Sequence, residues 1–229
     1  TRLDRNGGGW RVQTADGSLS ADHVLLCTNA YTDDLWPGLR RSIIPVRGYQ
    51  IWTKPLSDNV ARTILPDVSA LNDSRRLISG ARRYPDNRIH FGGRPGFGPE
   101  RAPDLTGPIR RIRTLFPQVD KVEIEAWWSG WVTRGISDGW RLHELAPGLL
   151  TAIACNGRGV AMGPIMGREL ARYAGGTPER DLLVPFSTPV PLRSYALRQP
   201  PGTAMVRYYA WRDQRELKRM PALRAMQRA

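Results

Sequence analysis

Apolar and polar positions alternate with a period of two through Gly9-Trp-Arg-Val-Gln-Thr14, and Ala15-Asp-Gly-Ser18 supplies a hairpin turn. The chain returns over Leu19 to Asp22. His23-Val-Leu-Leu-Cys-Thr28 is then a continuous apolar run, the pattern of a strand covered on both faces. A short helix is expected from about Tyr31, with Thr28 and Asn29 placed to cap it. Leu35-Trp-Pro-Gly38 is a breaker. Beyond it, Ile43-Ile-Pro-Val-Arg-Gly-Tyr-Gln-Ile-Trp-Thr53 reads as a long alternating strand interrupted at Gly48.

Arg76–Arg82 and Arg88–Arg94 read as two strands joined by the turn Tyr84-Pro-Asp-Asn87. The run Gly92-Gly-Arg-Pro-Gly-Phe-Gly98 is too rich in glycine for a strand interior. Gly107 to Phe116 predicts a helix with Pro108 near its start. Ile109, Ile112, Leu115 and Phe116 form its apolar stripe, and Arg110, Arg111 and Arg113 its solvated face. Val122 to Trp128 alternates as a strand. Asp181 to Pro191 is proline-rich extended chain. From Ala204 to Ala229 a basic helix is expected, kinked by Pro221, with Met205, Tyr208, Trp211, Leu217, Met220 and Leu223 as apolar positions. Its apolar stripe is expected to dock on its own domain. An anionic membrane surface is the alternative.

The stretch that organises the chain lies between these blocks. Gly148 to Ala154 is an apolar strand, Asn156-Gly-Arg-Gly159 a turn, and Val160 to Ala171 a helix stopped by Gly175-Gly176. Glycines there let the backbone turn sharply and approach a ligand closely. A helix beginning beside them presents unpaired N–H groups and a positive dipole end, which suits a phosphate or another electron-rich group. An ordinary tight strand–helix connection has the same spacing.

Cys155-Asn-Gly-Arg-Gly-Val-Ala-Met162 resembles the C-terminal flavin motif of the glycine/D-amino-acid oxidase (DAO) family of FAD-dependent oxidoreductases, in its gamma-glutamylputrescine oxidoreductase-like branch. Asp22-His-Val-Leu-Leu-Cys-Thr-Asn-Ala-Tyr31 and Trp127-Trp-Ser-Gly-Trp131, leading to Ser137-Asp138, match in the family's order. The resemblance implies a mixed α/β (α+β) chain: a partial FAD-binding domain plus an antiparallel-sheet substrate domain. It assigns 1–40 and 131–176 to the former, 41–130 to the latter, and 177–229 to an extended segment and a basic helix. Cofactor neighbours carried over are Thr28, Asn29, Ala30, Asn156, Gly157, Arg158, Gly159, Val160, Ala161 and Met162. Tyr49 and Asp138 are carried over toward substrate, with Arg47 and Gln50 as further positions on the same strand.

The implied chemistry moves a hydride equivalent from the carbon beside an amine or amino-acid nitrogen to the flavin, leaving an imine that hydrolyses. Such an enzyme needs few catalytic side chains, and none is assigned: His23, His90 and His143 form no evident dyad. Three departures from the family stand out. Gly139-Trp-Arg141 replaces a proline usual after the aspartate, and Ala161 stands where sarcosine-oxidase-type members carry a lysine associated with oxygen reactivity. No Gly-x-Gly-x-x-Gly opens a helix, so the chain reads as a C-terminal portion that holds FAD poorly alone. The alternative reading is a non-catalytic remnant serving as a basic binding module.

Composition adjusts this picture little. The 229 residues are 41% hydrophobic with eight tryptophans, enough for one or two packed domains. The net charge of +13 comes almost wholly from arginine, with lysine only at 54, 121 and 218. The arginines are scattered, often beside Asp or Glu, and no nucleic-acid-binding motif accompanies them, so neither a nucleic-acid partner nor membrane contact is expected. Cys27 and Cys155 read as small core residues without metal-ligand spacing, which makes the cytoplasm the default compartment.

Overall fold

The computed structural model describes residues 1–67, 69–96, 104–135, 141–197 and 199–219. In chain order the strands are β1 (Arg2–Asn6), β2 (Gly9–Thr14), β3 (Gly17–Ala21), β4 (Val24–Leu26), β5 (Ile43–Thr53), β6 (Ala70–Asn72), β7 (Gly80–Arg83), β8 (Ile89–Gly96), β9 (Ile124–Gly135), β10 (His143–Ala146) and β11 (Leu149–Thr151). The α-helices are α1 (Asp58–Ala61), α2 (Thr106–Leu115), α3 (Gly159–Ala174) and α4 (Gln199–Arg219). The described residues gather into two compact units. One is drawn from Thr1–Val46 and Trp131–Arg198; the other from Arg47–Gly130 and the segment beginning at Gln199.

In the first unit, β1, β2 and β3 form an antiparallel meander with Trp10 opposite Ala21 and Thr14 opposite Gly17. The buried Trp10 donates its Nε1–H to the Pro147 carbonyl at 3.1 Å, which fastens the meander to the turn before β11. A second sheet has the order β10-β11-β4, with β11 and β4 parallel. Period-two alternation sends adjacent residues of β11 into different cores. Leu149 packs with Trp10, Leu26, Leu39 and Ile43, whereas Leu150 packs with Met166 and Leu170 of α3 and with Val184.

The apolar run 23–28 forms a shorter and more open strand than its composition suggests. β4 is the outer strand of its three-stranded sheet; Leu25 is 36% exposed and Cys27 is exposed rather than a core residue. The helix expected from Tyr31 is one 3-10 turn, Asn29–Tyr31, with no side-chain capping bond at Thr28.

The second unit is an antiparallel sheet with the order β6-β7-β8-β5-β9, to which this unit contributes β5 from Arg47 and β9 up to Gly130. Ile51, Ala81, Ile89 and Phe91 face Ile112 and Phe116 of the α2 region and Ile64 after α1. The next residues along the same strands meet Trp128 instead: His90 stacks on it at a ring distance of 5.5 Å, and Trp52 lies tilted against it at 6.2 Å.

Two readings change here. Gly92 and Gly93 lie inside β8, opposite Gln50 and Tyr49, because crowding demands their small size: a Cβ on Gly93 would come within 2.8 Å of Ser79 Oγ. Arg111 is not solvated; it turns inward to the Asp73 carboxylate at 3.1 Å.

α4 begins at Gln199, before Ala204, and runs through Arg219. It docks by a polar contact rather than by its apolar stripe. Asp213 is buried and accepts the backbone N–H groups of Arg76 and Leu77 at 3.3 and 3.2 Å, while Met205, Tyr208 and Trp211 stay about half-exposed. That contact also holds 76–77 outside any strand. Met220, Pro221 and Leu223 lie outside the described residues.

Candidate flavin turn

Parallel pairing of β4 with β11 sets Leu26 beside Thr151, and the Thr151 hydroxyl donates to the Leu26 carbonyl at 2.6 Å. Both strands therefore release their chains at the same sheet end, where open α/β sheets collect ligands. The segment after β11 takes a strained path: Ala154, Asn156 and Gly157 have φ of 67°, 49° and 79°. Two of these are not glycine, so the surroundings must hold a backbone that side chains disfavour.

A hydrogen-bonded knot does so. Thr133 on β9, fully buried, donates to Asn29 Oδ1 at 2.7 Å and accepts the Cys155 N–H at 3.0 Å. Asn29 Nδ2 donates to Cys155 Sγ at 3.2 Å, and Asn156 Oδ1 accepts the Gly135 N–H at 2.8 Å. Burial pushes the Cys155 thiol pKa up. Donors from the Asn29 amide and from the Thr133 and Gly157 backbones outweigh it and hold the thiol below its ordinary value. Asn29 itself sits at φ 42° in the turn after β4. Three separate stretches of sequence are thus tied at one point.

Immediately beyond the knot, α3 begins. As first residues of a helix, Gly159 and Val160 have no intrahelical acceptor for their N–H groups. The helix start is bare: Gly157, Arg158 and Ala161 are exposed, and Val160 is 97% exposed. A Cβ at Gly157 would meet nothing within 4 Å. Met162 is different, packing inward with Leu150 and Met166. Small exposed residues, fixed N–H groups and one bare apolar side chain fit the electron-rich edge and flat ring of a flavin.

Of the residues expected near cofactor, Asn29 and Asn156 belong to the knot. Thr28 pairs its hydroxyl with that of Thr32 at 2.8 Å, and Ala30 is partly exposed between them. Gly157, Arg158, Gly159, Val160 and Ala161 form the bare helix start. Tyr49 belongs to the second unit, where the Arg47 guanidinium lies 5.0 Å from its ring centre and Trp127 6.4 Å. Asp138 lies outside the described residues. Thr133 and Gly135 were invisible to sequence reasoning, since one threonine in a strand carries no spacing signal.

The sequence pattern of the FAD dependent oxidoreductase family, DAO, matches residues 1–173. The chain is 30% identical over 190 residues to a probable oxidoreductase, OrdL, of Rhizobium meliloti, covering 82% of this chain and 44% of that protein. It is 28% identical over 205 residues to gamma-glutamylputrescine oxidoreductase of Escherichia coli, covering 88% and 48%. Among solved structures, glycine oxidase from Geobacillus kaustophilus is similar in fold, with a TM-score of 0.62 at 20% identity over 77% of this chain and 48% of that one. Iminodiacetate oxidase from Chelativorans gives 0.63 at 19% over 85% and 51%. The chain spans about half the length of the curated relatives it matches. By the family match over three quarters of its residues, ending at the C-terminal end of α3, this chain belongs to the DAO family of FAD-dependent oxidoreductases.

Proposed function

We propose that this chain contributes the α3 flavin turn to an enzyme that oxidises the C–N bond of a small amine or amino acid to an imine. The observation that carries this reading is the knot of Asn29, Thr133 and Cys155, which fixes the turn and leaves the start of α3 bare. FAD, when bound, supplies a two-electron acceptor for the hydride leaving the carbon beside nitrogen. The N–H groups of Gly159 and Val160 would face the negative charge that develops on it and stabilise that charge without reorganising. Arg158, exposed at the N-terminal end of α3, adds a positive charge close by. Val160 offers an apolar surface for the ring to cover. Ala161 brings no ammonium group to this turn, so nothing here favours oxygen over another electron acceptor.

The test is anaerobic. The FAD-loaded protein is mixed with a panel of primary and secondary amines and amino acids, and its visible flavin band is followed together with release of ammonia or a primary amine. Bleaching by at least one member of the panel, with stoichiometric product, is the expected result. A protein that holds flavin but is bleached by dithionite and by no amine would contradict the proposed substrate class.

A further inference from the structure

On the helix-covered side of the second unit, the sheet, α2 and α4 line a half-open cavity of about 450 Å³, inside the ~300–1,000 Å³ usual for small-molecule sites. Its apolar walls include Ile51 and Phe91 from the sheet, Leu77, and Ala210 from α4. Ile51 and Phe91 lie on the sheet face opposite the Trp52–His90–Trp128 ring cluster, and every lining residue belongs to this one unit.

The polar end is rich in arginine. Arg75 Nε and Arg111 Nη2 both bind Asp73 Oδ2, at 2.6 and 3.1 Å, and Arg75 Nη2 donates to Ser79 Oγ at 2.7 Å. One carboxylate shared by two guanidinium groups leaves positive charge over. The acid on the α4 side does not supply the balance, because Asp213 is committed to Arg76 and to the Arg76 and Leu77 backbone. Asp104 at the start of α2 accepts the Thr106 N–H at 3.0 Å. Arg111 is only 15% exposed, and its Nε–H has no hydrogen-bond partner among the described residues. Burial, and after it the charge of Arg75, holds the Arg111 pKa below its ordinary value, as expected of a cation short of counter-charge.

A buried guanidinium with a spare donor calls for an acceptor of fork geometry. The apolar walls call for carbon. We propose that this cavity binds a small organic carboxylate, its oxygens on Arg111 and Arg75 and its chain against Ile51, Leu77 and Phe91. Inorganic phosphate would satisfy the arginines but leave the apolar wall uncovered. Occupation here needs neither flavin nor the α3 turn, so its outcome is separable from flavin binding.

Isothermal titration of the purified protein with glutarate at constant ionic strength tests this, with inorganic phosphate and 1,4-diaminobutane as comparison probes. Saturable glutarate binding is expected, tighter than phosphate, with none for the diamine. Arg111→Lys keeps a charge opposite Asp73 but loses the fork, and should weaken glutarate at least about tenfold. Ala210→Phe fills the cavity from α4 without touching the arginines, and should abolish binding while circular dichroism remains unchanged. No saturable heat for glutarate up to about 10 mM, equal binding of the diamine, or affinity unaltered in both variants would overturn the site.

Discussion

Thr133 has one hydroxyl proton to give and lone pairs to receive, and the knot uses both, toward Asn29 and toward the Cys155 N–H. Thr133→Val is nearly isosteric and leaves two partly buried partners unsatisfied. It should cost about 1–3 kcal/mol in denaturant unfolding, and an unchanged midpoint would show the knot to be incidental. The same geometry makes Cys155 a reporter. In a Cys27→Ser background, its alkylation rate should rise with pH earlier than for a free thiol, because its pKa is lowered. Asn29→Leu removes the side-chain donor and should shift that profile upward.

The His90 pKa is also lowered, but there the shift favours the neutral form. Burial, with Arg82 adding to it, lowers its pKa, so the folded protein binds its proton less readily than the unfolded chain does. Stability from this site is present above the ordinary imidazole range and is lost as pH falls through it. His90→Phe keeps a ring against Trp128 and should flatten that part of the curve of unfolding midpoint against pH. None of these three roles was legible in the sequence: Thr133 and His90 lie in strands like any others, and Cys155, though it opens the glycine motif, carries no sign of its hydrogen-bond partners.

Among elements, α3 was the most legible. Its glycine turn, its apolar spacing and its glycine stop all stand in the sequence, and the helix runs from Gly159 to Ala174 with Gly176 at φ 93° just beyond. What the pattern hid was Glu169. It sits among the apolar positions yet its side chain is fully buried, accepting the Leu183 N–H at 2.9 Å with Arg168 and Arg172 each at 3.0 Å. The Leu183 N–H, with Arg168 and Arg172 adding to it, holds its pKa below the usual carboxylate range despite burial. Its contribution is therefore full above the ordinary Glu value and fades as pH falls through the lowered one. Glu169→Gln should unfold at lower denaturant at neutral pH and lose less stability than the parent on acidification.

α4 teaches the converse lesson. Periodicity located the helix but assigned its inner face to apolar residues, whereas one carboxylate, Asp213, makes the anchor. Asp213→Ala should expose α4 to limited proteolysis; resistance equal to the parent would mean that the remaining contacts suffice.

At the scale of the whole molecule, hairpins and the long strand could be read from alternation because their contacts are local. Long-range partners could not be. β4 and β11 are more than a hundred residues apart, and Asp213 meets Arg76 across a similar gap. Alternation shows which residues point the same way but not which strand lies beside which. That is why the run 23–28 was expected to be covered on both faces, and why Arg111 was expected in solvent. The +13 charge was equally opaque from the sequence. Ion pairs leave that net charge unchanged, but they gather arginines locally, two on Asp73 and two on Glu169. No helix among the described residues is long and apolar enough to cross a membrane.

The central claim is that the bare start of α3 receives the flavin. A fluorescence titration of the protein with FAD, parent against Val160→Asp, tests it most directly. Aspartate in the first turn favours the helix through its dipole, so the variant should unfold no earlier than the parent. Its negative charge would stand where the electron-rich ring edge must approach. The account predicts weak binding to the parent, whose sequence has no Gly-x-Gly-x-x-Gly turn, and at least about tenfold weaker binding to the variant, some 1.4 kcal/mol. Equal affinity in the two proteins would contradict it.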